Sequence, residues 1–203
     1  MQGGDYVPDT SWAERDDWES AWQPVIDAIG EDFGDGVVRE AVDTIERSVV
    51  HRYLEPLEFD CPLHYDEEVA KAHGYPGIIA PYSGLATWTS IGVWSPGDES
   101  VYTNAERNAQ PARRMAAGGE GRPLPAPPTT AGFATDVEYE YFMPFVVGDH
   151  LKQVGRKLLS CLPKETSVGR GAFTIMESEV RNQNDEVVVL ARIGSYSYVP
   201  RQE

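Results

Sequence analysis

Residues 78–94 carry no charged side chain, and their polar members are tyrosine, serine and threonine. Apolar and small residues spread around a helix in this way leave no broad face for water, so the segment is expected to be a helix buried on most sides. Such a helix needs a sheet curled around it. Four later segments, residues 136–147, 149–162, 168–182 and 186–199, are rich in β-formers with partial alternation and read as strands of that sheet. Asn182-Gln183-Asn184-Asp185 is a turn signal between the last two, and Gly148-Asp149 separates the first two. At 203 residues the chain is long enough for one domain with a sizeable core. The expected architecture is α+β, with a long central helix wrapped by an antiparallel sheet.

The segments before that run supply shorter elements. Residues 1–35 are expected to form an arm and a helix apart from the domain at 36–203. Ser11 and Glu14 have capping-box spacing, and Trp12, Trp18, Trp22, Val25, Ile26 and Ile29 fall near a helical period that Pro24 interrupts. This tryptophan stripe suits packing on the core or on a sister subunit better than ligand stacking. Val37, Val38 and Val42 suggest a short strand, and a helix over residues 45–57, capped by Asp43 or Thr44, would present Ile45, Val49, Val50, Tyr53, Leu54 and Leu57 on one face. Pro56 should end it early. Asp66 is placed to start a further short helix that Gly74 stops.

Residues 95–132 form an irregular insertion rich in Pro, Gly, Ala and Arg. A loop of this length is either a loose insertion or a functional flap. As a flap, it would offer Tyr102, Arg107, Arg113 and Arg114 to the phosphates of a long acyl carrier.

Charge restricts the partners. Asp and Glu number 33 against 17 Lys and Arg, a formal net charge of −16, so the average field repels nucleic acid and anionic lipid. A basic patch for coenzyme A could draw only on Arg47, Arg52, Arg113, Arg114 and Arg122. Cys61 and Cys161 form no CxxC or zinc-ligand pattern, so no metal and no disulfide is expected. With neither a basic-then-apolar leader nor an apolar window of membrane-spanning length, a cytoplasmic protein without membrane contact is expected.

The chemistry-bearing stretch is Asp60-Cys61-Pro62-Leu63-His64-Tyr65-Asp66-Glu67-Glu68, followed by Gly74-Tyr75-Pro76-Gly77-Ile78-Ile79-Ala80-Pro81. It sets a histidine, whose ordinary pKa lies near neutrality, beside an apolar slot. With Val137-Glu138-Tyr139-Glu140-Tyr141-Phe142-Met143-Pro144 and Gly148-Asp149, these blocks resemble the MaoC-like acyl dehydratases and (R)-specific enoyl-CoA hydratases, especially the N-terminal type of domain in the FAS1-like dehydratase branch. The resemblance covers residues 37–199.

It implies a single hot-dog domain that hydrates a 2-enoyl-CoA, or dehydrates a 3-hydroxyacyl thioester, by acid and base catalysis without a cofactor. It also implies an acyl-CoA or acyl carrier protein thioester as ligand, and a homodimer or a heterodimer with a second hot-dog subunit. In the family a histidine and an aspartate five residues before it share the attacking water, and a backbone N–H at the start of the central helix holds the thioester oxygen.

Here His64 takes the histidine position. Phe59 replaces the aspartate and Cys61 the usual asparagine, while Asp60 lies one position off and serves only if the turn swings it toward His64. Pro81 has no N–H, so the oxyanion donor passes to Tyr82 or Ser83. The resemblance makes His64 and Asp60 the candidate catalytic pair and Phe59, Cys61, Ile79, Tyr82 and Ser83 the substrate-binding set. The alternative role is a non-catalytic subunit that shapes the acyl tunnel of a heteromeric hydratase, with His64 hydrogen-bonded near Asp66, Glu67 and Glu68. A hot-dog thioesterase would need a carboxylate on or near the central helix, and residues 78–94 hold none.

Overall fold

The computed structural model describes residues 8–92, 94–100, 102, 105, 106, 108 and 121–201. Five antiparallel strands, β1 (Val38–Glu40), β2 (Ala131–Tyr141), β3 (Lys152–Glu165), β4 (Gly169–Arg181) and β5 (Val187–Pro200), form one sheet in the order β1-β3-β4-β5-β2. The four long strands match the four segments that the sequence marks as strands. Their connections follow turn chemistry: Asn182 Oδ1 accepts from the backbone N–H of Asn184 and Glu186, and Asp185 takes φ +67°, which closes the β4–β5 hairpin.

Helices cover one face of this sheet in two groups. Helix α2 (Arg47–Leu54) and helix α4 (Leu85–Trp88) bury Val50, Leu54, Leu85 and Trp88 with Ile45, Phe145, Leu151, Val180, Val188 and Val189. Helix α2 gives way to a 3-10 turn at Glu55–Leu57, where Pro56 cannot supply the next helical N–H. Its flanking residue is Glu46 rather than Asp43 or Thr44, and no side chain caps it. Leu57 is exposed. In helix α3 (Glu67–Ala72) the Asp66 carboxylate accepts from the N–H groups of Glu68 and Val69, the expected N-cap, and Gly74 follows at φ +87°.

The second group is the tryptophan cluster. Trp12, Trp18, Trp22 and Val25 pack with Phe33, Leu158 and Ala172. The segment is not one continuous helix. It comprises 3-10 turns at Ser11–Glu14 and Trp18–Trp22 and helix α1 (Gln23–Asp27), with Pro24 in the first turn of α1, where a missing N–H costs least. Ser11 does not form the capping box; its N–H donates to Asp9 instead. Ile29 is left exposed.

The long helix expected over residues 78–94 is not formed. Ile79 pairs with Val146 in a β-bridge, and the Ala80 N–H donates to the Phe145 carbonyl, so residues 78–80 are extended. Pro81, with no donor, then admits only the 3-10 turn Tyr82–Gly84 and the four residues of α4. Beyond Trp88 the Thr89 hydroxyl donates to the Leu85 carbonyl, and Ser90 and Gly92 are weak helix formers. Burial of the run is nonetheless as expected at Ile78, Ile79, Ala80, Leu85 and Trp88.

Trp88 fixes this short helical unit. Its indole N–H donates to the Pro81 carbonyl at 2.8 Å, and its ring lies where a side chain on Gly84 would be, 2.7 Å from an added Cβ. Gly84→Ala should therefore destabilise the fold by about 1–3 kcal/mol. A urea denaturation curve measures this, expected to show a lower midpoint with an unchanged slope.

Candidate active site

The turn that carries His64 is a 3-10 turn, Pro62–His64, in which the N–H groups of His64 and Tyr65 donate to Cys61 and Pro62 carbonyls. Two hydrogen bonds clasp it to the extended run before Pro81. The Ile79 N–H donates to the Leu63 carbonyl at 3.2 Å, and His64 Nδ1 lies 2.7 Å from the Ile79 carbonyl oxygen. A carbonyl only accepts, so Nδ1 carries the proton and Nε2 keeps the lone pair. His64 is half-buried. Its partner is thus Ile79, not the acidic residues at 66–68; Asp66 caps α3, and Glu67 pairs with Lys71, which holds its carboxyl below the usual range.

His64 lines a cavity of about 390 Å³ with Leu54, Leu57, Phe59, Leu63, Tyr75, Ile79, Ala80, Pro81, Tyr82 and Ser83. The walls are mainly apolar. Ser83 Oγ accepts from the Tyr53 hydroxyl at 3.1 Å, so its own proton is available to another acceptor. Tyr82 stacks on Tyr141 at 4.4 Å, and burial, with Tyr75 nearby, pushes its phenol above the ordinary value. It stays a neutral donor near pH 7.

Of the residues singled out from sequence, His64, Phe59, Ile79, Tyr82 and Ser83 come together in this one cavity. Asp60 and Cys61 do not. Asp60 lines a neighbouring groove, which shares Leu54 and Phe59 with this cavity and is otherwise formed by Glu55, Glu58, Pro62, Tyr65 and Asp66. The Phe59 ring centroid lies 5.6 Å from that of His64, so it is the phenyl ring that faces the histidine. Half-buried Cys61 lies at the entry to the turn, where its carbonyl accepts from the His64 N–H.

Sequence reasoning missed Tyr53, which holds Ser83, and the carbonyl of Ile79, which orients the imidazole. Tyr53 sits on the face of α2 that the periodicity marks as apolar, so its hydroxyl gave no separate signal. The proposed basic patch is already engaged in part: Arg122 pairs with Glu31 and lies over Phe33, and Arg47 donates to the Tyr65 carbonyl. Arg107, Arg113 and Arg114 lie outside the described residues.

Comparison with known proteins places this geometry in context. Residues 28–191 match the family model described as "FAS1-like, dehydratase domain region". The chain is 28% identical over 168 residues to the "Probable enoyl-CoA hydratase alpha subunit" of Thermomonospora curvata, covering 82% of this chain and 49% of that protein. It is 23% identical over 176 residues to the "3-oxo-4,17-pregnadiene-20-carboxyl-CoA hydratase alpha subunit" of Mycobacterium tuberculosis, covering 80% of this chain and 50% of that protein. The chain therefore spans about half the length of these curated relatives. Its fold is similar to a chain in the crystal structure of the ChsH1-ChsH2 complex from Mycobacterium tuberculosis, with a TM-score of 0.59 at 20% identity over 91% of this chain and 93% of that one.

The clasp predicts a graded response at position 64. His64→Leu strips the donor from the Ile79 carbonyl and should cost about 1–3 kcal/mol, whereas His64→Asn, which can place an N–H near the same point, should recover most of that loss. Thermal unfolding of the two variants, compared at one pH, checks the order.

Proposed function

The chain belongs to the FAS1-like dehydratase domain family, and on that premise we propose that it is the acyl-binding half of an enoyl-thioester hydratase whose catalytic carboxylate and histidine come from a second hot-dog chain. The observation that carries this reading is the side chain facing His64: it is Phe59, while Asp60, next to it in sequence, lines the neighbouring groove and Asp66 caps α3. The alpha-subunit names of the two relatives support a companion chain. The ligand is a 2-enoyl-CoA, or the same acyl group on an acyl carrier protein. Its chain would lie in the apolar cavity between Leu57, Phe59, Ile79 and Tyr82.

Hydration adds hydroxyl to C3 and a proton to C2 of the enoyl thioester while negative charge builds on the thioester oxygen. One group must take a proton from water, a proton must reach C2, and a donor must meet the oxygen. His64 can accept a proton at Nε2, and the N–H groups of Tyr82 and Ser83 have no acceptor in their own 3-10 turn. With no carboxylate in the lining, nothing compensates the imidazolium that would form. Phe59 instead extends the apolar wall, as a tunnel requires.

A second reading makes His64 itself the catalytic base. The bond from Nδ1 to the Ile79 carbonyl favours it, because that bond leaves Nε2 bare.

Loss of enoyl absorbance with crotonyl-CoA and one bulky enoyl-CoA separates the two. On the proposed reading the purified chain alone shows no hydration, a sister hot-dog protein restores it, and His64→Ala leaves the restored rate nearly unchanged. On the second reading the chain is active alone and His64→Ala abolishes that activity. Phe59→Asp, which puts a carboxylate beside His64, should give the single chain measurable hydration of crotonyl-CoA.

A further inference from the structure

Phe59 stands between two openings. It lines the apolar cavity of about 390 Å³ and also the neighbouring groove of about 570 Å³, and Leu54 is the other residue common to both. At 47% exposure its ring is neither buried in a core nor free in solvent, as a partition between a cavity and an open groove should be.

The main chain fixes where that ring starts. Glu58 takes φ +49° and ψ +36°, in the left-handed region that few non-glycine residues enter, and its N–H donates to the Glu55 carbonyl. The Phe59 N–H donates to the Leu54 carbonyl at 3.4 Å, and the Phe59 carbonyl accepts from the Tyr65 hydroxyl at 2.7 Å. Both polar groups of its backbone are thus engaged, and the side chain extends from a held position.

The two sides of the ring differ in charge. On the cavity side the lining has no acidic or basic side chain other than His64. On the groove side stand the exposed carboxylates of Glu55, Glu58, Asp60 and Asp66, with no Lys or Arg among the lining residues. Arg47 reaches the Tyr65 carbonyl beside them and is one cation against these four acids. The phosphates of coenzyme A would be repelled at that end, because like charges at a few ångströms cost energy even in water.

We propose that Phe59 is the end wall of the acyl cavity: the thioester lies toward Tyr82 and Ser83, the acyl tail runs to the ring, and the ring sets the longest chain that fits. The groove behind the wall makes the limit selective as well. With the ring cut back, a neutral or cationic tail crosses past Leu54, whereas a tail that ends in a carboxylate meets four like charges. This rests on the acyl-binding reading above and names the residue that fixes chain length within it.

Calorimetric titration of the full chain with saturated straight-chain acyl-CoA thioesters, from butyryl to dodecanoyl, tests it. In the wild type each methylene that enters the cavity should tighten binding about fourfold, up to a length at which the gain stops. Phe59→Ala should move that break to a longer chain and Phe59→Trp to a shorter one, with thermal unfolding showing that both variants fold. In Phe59→Ala at low salt, ω-aminododecanoyl-CoA should bind about tenfold tighter than the thioester of the same length ending in a carboxylate. High salt should shrink this preference, and F59A/E55Q/E58Q/D60N should lose it. A gain that continues unbroken to dodecanoyl in the wild type, or a break that either variant leaves in place, would overturn the inference while the acyl-binding reading stands. Equal binding of the two charged tails to Phe59→Ala would overturn the role given to the groove. No binding at any length would overturn the reading and the inference together.

Discussion

The paired hydrogen bonds between the His64 turn and Ile79 are the contact on which the candidate site depends. One runs from the Ile79 N–H to Leu63 and the other from His64 Nδ1 to the Ile79 carbonyl, so both polar groups of a single buried residue are spent on one turn. The same extended run joins the sheet side through Ala80 and Val146 and then enters the short helix through Pro81. An imidazole, an apolar wall and a helix start are thereby held in fixed relation by backbone geometry. Side chains could vary around this frame without moving the histidine.

That frame gives His64 a role in the fold as well as a place in the cavity. The histidine has a structural duty through Nδ1 that does not depend on catalysis, and Phe59 joins the same turn through its carbonyl, which accepts from the Tyr65 hydroxyl at 2.7 Å. The Phe59 side chain adds apolar wall beside the imidazole, which suits a cavity for an acyl chain.

Much of the fold was legible from residue pattern. Alternation with β-branched and aromatic residues gave the four long strands, Asn182 to Asp185 gave the β4–β5 hairpin, and Asp66 gave a helix start, because each of these signals is local. The central helix was misread for a physical reason. An apolar run with no polar face reports burial, and burial was right, but it does not report period; the extended pairing of Ile79 with Val146 is a long-range contact that overrides helix propensity at residues 78–80. At the site, proximity in sequence suggested Asp60, and the turn leaves it in the neighbouring groove. Tyr53 and the Ile79 carbonyl were out of reach because one was hidden within an apolar stripe and the other is a main-chain atom.

Whether the cavity holds an acyl chain independently of turnover is the central claim, and calorimetric titration of the single chain with saturated hexanoyl-CoA tests it most directly. Saturable binding is expected for the wild type, unchanged in His64→Ala and abolished in Leu57→Trp, where a larger side chain on an exposed lining residue fills the cavity. Absence of binding to the wild type, or binding that Leu57→Trp leaves intact, would contradict it.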